Sequence, residues 1–177
     1  MGDSVKGNSY KTDFPPRLAL GVSLHRFIDD FMDNHDLSKL GKKRLWDEHR
    51  HTSGIIIDMF YDHLLALNWH SYSDVSLETF EETSYDLFRE HWDLFDSNTQ
   101  FMLSHMMANK WLSKYSSLEG LQQSLNGLSR RFRYTNQINK SIDILELHFD
   151  EYNKEFSLYF DEIIDKSNSF IKTASNG

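Results

Sequence analysis

Two segments of the chain combine histidine and aspartate at helical spacing. In the first, His25, Asp29 and Asp33 follow one another at four-residue steps and would form a polar stripe along one face of a helix. Side chains four residues apart meet over one helical turn, where an imidazole nitrogen and carboxylate oxygens can bind one metal ion. The same spacing also permits a solvated face with a hydrogen bond between His25 and Asp29. Taken alone, this segment is more typical of the solvated face.

The second segment, residues 55–67, is apolar on nearly every side, which is typical of a buried helix. Four residues break the apolar pattern: Asp58, Tyr61, Asp62 and His63. A buried carboxylate pair needs a compensating partner, because burying a charge without one is costly. A metal ion would be such a partner, and so would the guanidinium of Arg26 or Arg50. We favour the metal ion.

The donors in these two segments are oxygen and nitrogen, and the chain contains no cysteine. Such ligands suit manganese, iron, magnesium or zinc, and the ligand type does not choose among them. A bound metal lowers the pKa of its water and produces hydroxide near neutral pH. Hydrolysis of a phosphoester therefore follows more naturally than redox chemistry. The sequence has neither a Gly-x-Ser-x-Gly elbow nor a phosphate-binding Gly-x-x-x-x-Gly-Lys loop.

The elements that must position these residues are predicted to be helices, since apolar residues recur every three or four positions along most of the chain. The segment from 76 to 95, for example, predicts an apolar face of Leu77, Phe80, Leu87, Phe88 and Trp92. Capping boxes at Ser97-x-x-Gln100 and Ser116-x-x-Glu119 predict two helix starts. The first predicted helix begins near residue 18. The others span 38–50, 53–69, 76–95, 98–115, 117–131 and 136–171. No strand pattern of useful length occurs.

Length and composition are typical of one folded domain. The chain has 177 residues, 39% of them hydrophobic, with a net charge of −8. We therefore expect an all-α protein, a single domain over residues 1–177 with about six to seven helices. The acidic balance argues against nucleic-acid binding, and no apolar stretch is long enough for a membrane span. We expect a cytoplasmic protein and a monomer.

Five phrases together resemble the acyl-carrier-protein phosphodiesterase family, in matching order from residue 2 to about residue 131. They are Gly2-Asp3-Ser-Val-Lys6-Gly7, His25-Arg-Phe-Ile-Asp29, Asp58-Met-Phe-Tyr-Asp62-His63-Leu-Leu, Trp111-Leu-x-x-Tyr115 and Leu125-Asn-Gly-Leu-Ser-Arg-Arg131. The resemblance implies an HD-domain-like helical fold. It also implies a hydrolase that depends on Mn²⁺ and removes the 4′-phosphopantetheine arm from holo acyl carrier protein.

The resemblance makes six residues the functional candidates: Asp3, His25, Asp29, Asp58, Asp62 and His63. We expect a metal held by His25, Asp29, Asp62 and His63, with Asp3 as a further candidate ligand. Asp58 is expected to act as general base or to support the ligands, and Lys6 or Arg26 to stabilise charge on the phosphate oxygens.

A basic strip is expected to receive the carrier protein. Between residues 105 and 136 there are five basic residues and one acid. Three of the basic residues, Arg130, Arg131 and Arg133, are predicted to steer the acidic carrier by charge complementarity. An ordinary solvated face explains the same counts.

The sequence departs from the family in two places. The pair Asp62-His63 reverses the usual His-Asp order of HD-type enzymes. Members of the family also begin with an apolar Asn-Phe-Leu-Ala-His segment before the Gly-Asp phrase, whereas this chain begins at that phrase. Two other readings therefore stay open: an HD-like phosphohydrolase acting on a nucleotide or small phosphoester, and a non-catalytic helical binding protein with an incomplete site.

Overall fold

The computed structural model describes residues 7–131 and 137–175, and for Arg131 and Ser175 it describes the backbone alone. Every regular element in these residues is helical, which confirms the all-α prediction. The eleven α-helices of the described residues are α1 Tyr10–Asp13, α2 Pro16–Asn34, α3 Asp36–Arg44, α4 Trp46–His49, α5 Ser53–Leu67, α6 Leu77–Glu90, α7 Ser97–Asn109, α8 Trp111–Lys114, α9 Leu118–Arg131, α10 Ser141–Leu147 and α11 Phe149–Ser175. None of them is long and apolar enough to span a membrane.

Three of the predicted helices are interrupted, which is why the structure has more helices than expected. The segment 38–50 breaks between α3 and α4, and the segment 136–171 is divided into a 3₁₀ turn, α10 and α11. The segment 98–115 breaks at Lys110, whose backbone is left-handed with φ 48° and ψ 60°. A left-handed lysine is unfavourable, so contacts from elsewhere in the fold must hold this break in place.

The helix caps lie one residue away from the predicted capping boxes. The carboxylate of Asp96, and not Ser97, caps α7 by accepting hydrogen bonds from the backbone N–H groups of Asn98 and Thr99. At the start of α9 the hydroxyl of Ser117, not Ser116, accepts from the N–H of Gly120 at 3.1 Å. An Asp just before the first turn can accept hydrogen bonds from two of these N–H groups, and a Ser from one. Neighbouring residues of these types can therefore take the same capping role.

The chain forms two compact units: residues 1–40 with 154–177, and residues 41–153. In the first unit α2 packs against α1 and against the C-terminal part of α11. The rings of Phe27 and Phe170 stack with centroids 4.9 Å apart, and Phe31 lies 5.8 Å from Tyr159. The expectation of one domain over the whole chain stays a prediction.

The core of the second unit is built around α5. Ile56, Ile57, Phe60 and Leu64 are fully buried, and the helix packs against α9. Burial of each such side chain stabilises the fold by about 1.5–3 kcal/mol. The buried Tyr152 lies edge-on to Phe60, with ring centroids 5.4 Å apart. This core fixes the orientation of α5, and therefore which of its polar residues reach solvent.

Candidate functional site

α5 presents its polar residues on two different sides. Asp58 and Asp62 lie one turn apart and are both exposed, whereas Tyr61 and His63 are buried, with His63 only 2% exposed. Adjacent helix residues point about 100° apart, which separates Asp62 from His63. The prediction that this helix buries its carboxylates is therefore wrong, because the apolar residues leave one accessible face and the carboxylates occupy it.

Asp62 lies in a recessed position. Burial by the surrounding protein, with the charge of Asp58 as the smaller cause, raises the pKa of Asp62 from 3.8 to about 7. The side chain nevertheless keeps solvent-exposed surface, so the carboxylate is crowded by protein but not sealed from water. A cation bound at this position would favour the ionised form of both carboxylates. It would therefore counteract both effects that raise the pKa of Asp62.

His63 is held by a backbone carbonyl. Its Nδ1 lies 2.6 Å from the carbonyl oxygen of Tyr115, which can only accept a hydrogen bond, so Nδ1 carries the proton. Burial lowers the pKa of His63 more than the bond to Tyr115 raises it, and the ring is neutral. Its Nε2 therefore holds a lone pair, and this buried atom has no hydrogen-bond partner among the residues that the structure describes.

Tyr115 connects the two neighbours Asp62 and His63. Its carbonyl accepts from the His63 ring, and its phenol is close enough to Asp62 for the negative charge of that carboxylate to disfavour loss of the phenol proton. Burial, followed by the charge of Asp62, raises the pKa of Tyr115 to about 12. Its hydroxyl also lies 3.7 Å from the sulfur of Met59. Sequence reasoning named Tyr115 only as part of a motif and missed this role.

Glu81 on α6 is a buried carboxylate that sequence reasoning also missed. It is 1% exposed, and its Oε1 accepts from the Tyr85 hydroxyl at 2.6 Å and from the Leu112 N–H at 2.9 Å. Its Oε2 accepts from the hydroxyl of Ser113. Burial acts to raise the pKa of Glu81, but these hydrogen bonds outweigh it and leave the pKa below its usual range. The pattern in the sequence that could have indicated this buried carboxylate is the four-residue spacing of Leu77, Glu81 and Tyr85.

On α2, in the first unit, the predicted His–Asp contact is present. Nε2 of His25 lies 3.4 Å from Oδ2 of Asp29, and the side chains are 39% and 52% exposed. Asp33 is exposed one turn further on. This geometry is the intrahelical pair that the spacing allowed, and both side chains are accessible enough to bind a metal ion. The assignment of His25 and Asp29 as metal ligands stays a prediction.

Arg26 contacts the beginning of the described chain. Its guanidinium donates to the carbonyl of Gly7 at 2.8 Å and lies over the ring of Tyr10, 4.6 Å from the centroid. These contacts hold the segment that follows Asp3 and Lys6 in sequence. A catalytic role for Arg26 stays a prediction, and its observed contacts are those of an anchor.

Several predicted residues lie outside the described residues: Asp3, Lys6, Arg133 and the side chain of Arg131. Arg130 is exposed on α9, and Lys110 and Lys114 of the same basic strip are exposed as well. Lys110 lies 3.8 Å from Glu82. The described part of the strip is therefore accessible to a partner.

The donors of α5 fit a divalent cation by their chemistry. A neutral imidazole with Nδ1–H bonded to a backbone carbonyl and a lone pair on Nε2 has the orientation of a metal-binding histidine. Carboxylate oxygens and imidazole nitrogen are ligands that manganese and similar metals accept. Within each unit, however, no three His, Asp or Glu side chains of the described residues are grouped to hold a metal ion. The predicted set takes His25 and Asp29 from one unit and Asp62 and His63 from the other.

The fold and these side chains define an all-α protein in which α5 carries an accessible carboxylate pair on one side and an oriented, neutral histidine on another. A sequence model of the family described as acyl carrier protein phosphodiesterase matches residues 1–163. The chain belongs to this family.

Curated relatives agree with that assignment. The acyl carrier protein phosphodiesterase of Escherichia coli O6:K15:H31 is 28% identical over 172 residues, covering 94% of this chain and 86% of the relative. The protein of the same name from Salmonella agona is 30% identical over 161 residues, covering 88% of this chain and 81% of the relative. No solved structure matches the chain.

Proposed function

We propose that this protein hydrolyses the phosphodiester that joins 4′-phosphopantetheine to the carrier serine of holo acyl carrier protein. The products are apo carrier protein and free 4′-phosphopantetheine, so the reaction acts on the carrier used in fatty acid biosynthesis. Membership of the family and the names of the two relatives support the choice of substrate. The structural observation that carries the proposal is the accessible Asp58–Asp62 pair on α5, the helix that also carries the oriented ring of His63.

The residues that would hold a divalent metal, Mn²⁺ in this proposal, are His25 and Asp29 of the first unit and Asp62 and His63 of the second, with Asp3 as a further candidate. When bound, such a metal supplies an acidified water molecule and neutralises charge on phosphate oxygens. The oxygen and nitrogen donors of the chain and the lone pair on Nε2 of His63 support this ligand set. The raised pKa of Asp62 supports it too, because a recessed carboxylate beside a second one attracts a cation.

The chain's own residues have three further tasks in this proposal. Asp58, exposed one turn from Asp62, accepts the proton of the attacking water as general base. The Tyr115 carbonyl keeps the proton of His63 on Nδ1 and leaves Nε2 available. Arg26 anchors the segment after Lys6. The positively charged side chains of Lys6 and Arg26 balance the negative charge that develops on the phosphate oxygens.

The carrier protein docks through charge. Acyl carrier protein is acidic, and this chain, although acidic overall, concentrates five basic residues against one acid between residues 105 and 136. Exposed Arg130 at the end of α9, together with Arg131 and Arg133, steers the carrier to the site.

The test is a direct assay of holo acyl carrier protein with Mn²⁺, in which mass spectrometry measures the loss of the 4′-phosphopantetheine arm. The Asp62→Asn variant keeps the side-chain shape but removes the charge, and we expect kcat to fall by about 100-fold or more. Asp161→Asn, which alters an exposed carboxylate on α11, is the matched control and should retain activity.

Elemental analysis of the same proteins measures the metal. We expect near-stoichiometric metal in the wild-type protein and a clear loss in Asp62→Asn. Wild-type protein that leaves holo carrier protein intact but cleaves small phosphodiesters would contradict the proposed substrate. Wild-type protein that binds no Mn²⁺ and cleaves neither substrate would contradict the hydrolase proposal as a whole.

A further inference from the structure

The short helix α8 lies between the buried Glu81 and the ring of His63. α8 has four residues, which is too few to be stable through its own hydrogen bonds. Its position therefore depends on the contacts at its two ends. All of these contacts lie within the unit of residues 41–153.

At the N-terminal end of α8 the capping group comes from another helix. Left-handed Lys110 turns the chain, and its side chain makes no capping hydrogen bond to the helix. Glu81 of α6 accepts instead from the N–H groups of Leu112 and Ser113, at 2.9 and 3.4 Å, and from the Ser113 hydroxyl. A helix start leaves such N–H groups without partners, and a carboxylate there also interacts favourably with the helix dipole. Glu81 therefore holds this end of α8.

At the C-terminal end α8 contacts both His63 and α9. Tyr115 is the C-cap residue of α8, and its backbone N–H donates to carbonyls of that helix. Its own carbonyl accepts from Nδ1 of His63 at 2.6 Å. A Cβ atom on Gly120 would lie 1.9 Å from the carbonyl oxygen of Lys114, so only glycine permits this approach of α9. Both ends of α8 are thus fixed, and the carbonyl that orients His63 is part of the fixed piece.

We infer that Glu81 is a positioning residue for His63. By holding the start of α8 it fixes the Tyr115 carbonyl, and that carbonyl keeps the His63 proton on Nδ1 and the lone pair on Nε2. The sequence of hydrogen bonds therefore runs from Glu81 to His63 through α8. The importance of the lone pair for catalysis rests on the proposed function, whereas the link from Glu81 to the ring rests on the hydrogen bonds alone.

The variant Glu81→Gln tests the inference, because a carboxamide cannot accept the same set of hydrogen bonds at both of its terminal atoms. Glu78→Gln, an exposed position one turn earlier on α6, is the matched control. Long-range ¹⁵N–¹H spectra of metal-free protein labelled at histidine report which ring nitrogen of His63 carries the proton. We expect one tautomer in wild type and in Glu78→Gln, and a shifted or mixed signal in Glu81→Gln.

The same variants are assayed on holo acyl carrier protein. Loss of a group that orients a metal ligand commonly lowers activity by about 10- to 100-fold, so we expect Glu81→Gln to lose about tenfold in kcat with little change in KM. An unchanged His63 signal in folded Glu81→Gln overturns the inference, whatever the activity. A changed signal, in a protein whose wild type leaves the carrier intact, supports the positioning role and contradicts the proposed function.

Two further variants keep the test decisive if Glu81→Gln does not fold. Ser113→Ala removes the bond to Oε2 and leaves the bond between Glu81 and the Leu112 N–H in place. Gly120→Ala disturbs the opposite end of α8, and Gly127→Ala on the same helix is its control, since a Cβ there meets nothing within 4 Å. We expect Ser113→Ala and Gly120→Ala to shift the His63 signal and Gly127→Ala to leave it unchanged. Unchanged signals in both test variants would overturn the inference.

Discussion

The histidines of α2 and α5 each have carboxylates nearby in sequence, but the two helices hold them in different ways. His25 is 39% exposed and contacts the Asp29 carboxylate of its own helix at 3.4 Å. His63 is 2% exposed, and its ring donates to a backbone carbonyl from a residue far away in sequence. Local spacing thus gives His25 a carboxylate neighbour, whereas the packing of α5, α8 and α9 gives His63 its carbonyl partner.

The difference shows what helical spacing can and cannot determine. A step of four residues is enough to bring His25 and Asp29 together, because both belong to one helix. The tautomer of His63, in contrast, depends on the Tyr115 carbonyl and so on the tertiary structure around it. Residues of the same type can therefore be equally visible in the sequence while the contacts described for them come from very different distances along the chain.

Replacing each histidine by alanine should give the largest contrast between the two helices. His63→Ala removes a buried ring and leaves the Tyr115 carbonyl without its donor, so we expect a loss of about 2–4 kcal/mol in the free energy of unfolding. His25→Ala changes an accessible side chain and should alter stability by about 0.5 kcal/mol or less. Urea titration of metal-free protein measures both. Equal losses would show that the two histidines are held in the same way.

Charge reversal of the basic strip asks whether the unit that contains His63 also receives the carrier. We expect the triple change of Arg130, Arg131 and Arg133 to glutamate to raise KM for holo carrier protein by about tenfold at low salt, with a smaller effect at high salt. Arg89→Glu is the control, because Arg89 is exposed but pairs with Asp86 on its own helix at 2.6 Å. Unchanged turnover by the triple variant at low salt would rule out docking through these arginines.

The smallest expected effect is a difference between Asp62 and Asp29 in how each affects the pH dependence of stability. In metal-free protein the folded state keeps a proton on Asp62 up to about pH 7, whereas its ordinary pKa is 3.8. Folding therefore binds a proton between these values, and stability falls as pH rises through this window. Asp62→Asn should raise the melting temperature by a few degrees at pH 8 and leave it nearly unchanged at pH 3.5.

The difference between wild type and Asp62→Asn isolates this carboxylate, since the lowered pKa of His63 makes stability change with pH in the opposite direction. Asp29→Asn, an exposed position in the first unit, is the control. A pH dependence that is the same in wild type and in Asp62→Asn would mean that Asp62 is not recessed as described.

The sequence predicted most helices because their apolar periodicity is a local property. Residues 53–69 were predicted as a helix and α5 occupies Ser53–Leu67. The face of α6 was predicted less well: Phe80 and Leu87 are 43% and 52% exposed, while Glu81 and Tyr85 are buried. Glu81 is tolerated inside because Tyr85, Leu112 and Ser113 satisfy it, and those partners are visible only in the folded structure.

The candidate site was predictable in residue type and not in geometry. The interruption of the apolar pattern located Asp58, Asp62 and His63 on one helix, as the structure has them. That the carboxylates face solvent and the histidine faces inward depends on which side of α5 meets α9. The role of Tyr115 depends on a left-handed lysine at position 110, a conformation that no sequence pattern indicated.

The division of the chain into residues 1–40 with 154–177 and an inserted 41–153 has a consequence for folding during synthesis. Phe27 leaves the ribosome well before its stacking partner Phe170, which belongs to α11. The same holds for His35, which lies 3.3 Å from Glu162 across a separation of 127 residues. Residues 41–153 can close their core earlier, because they form one continuous stretch of the chain. Until α11 has been made, the apolar face of α2 must wait for its partner, and that interval exposes the nascent chain to aggregation.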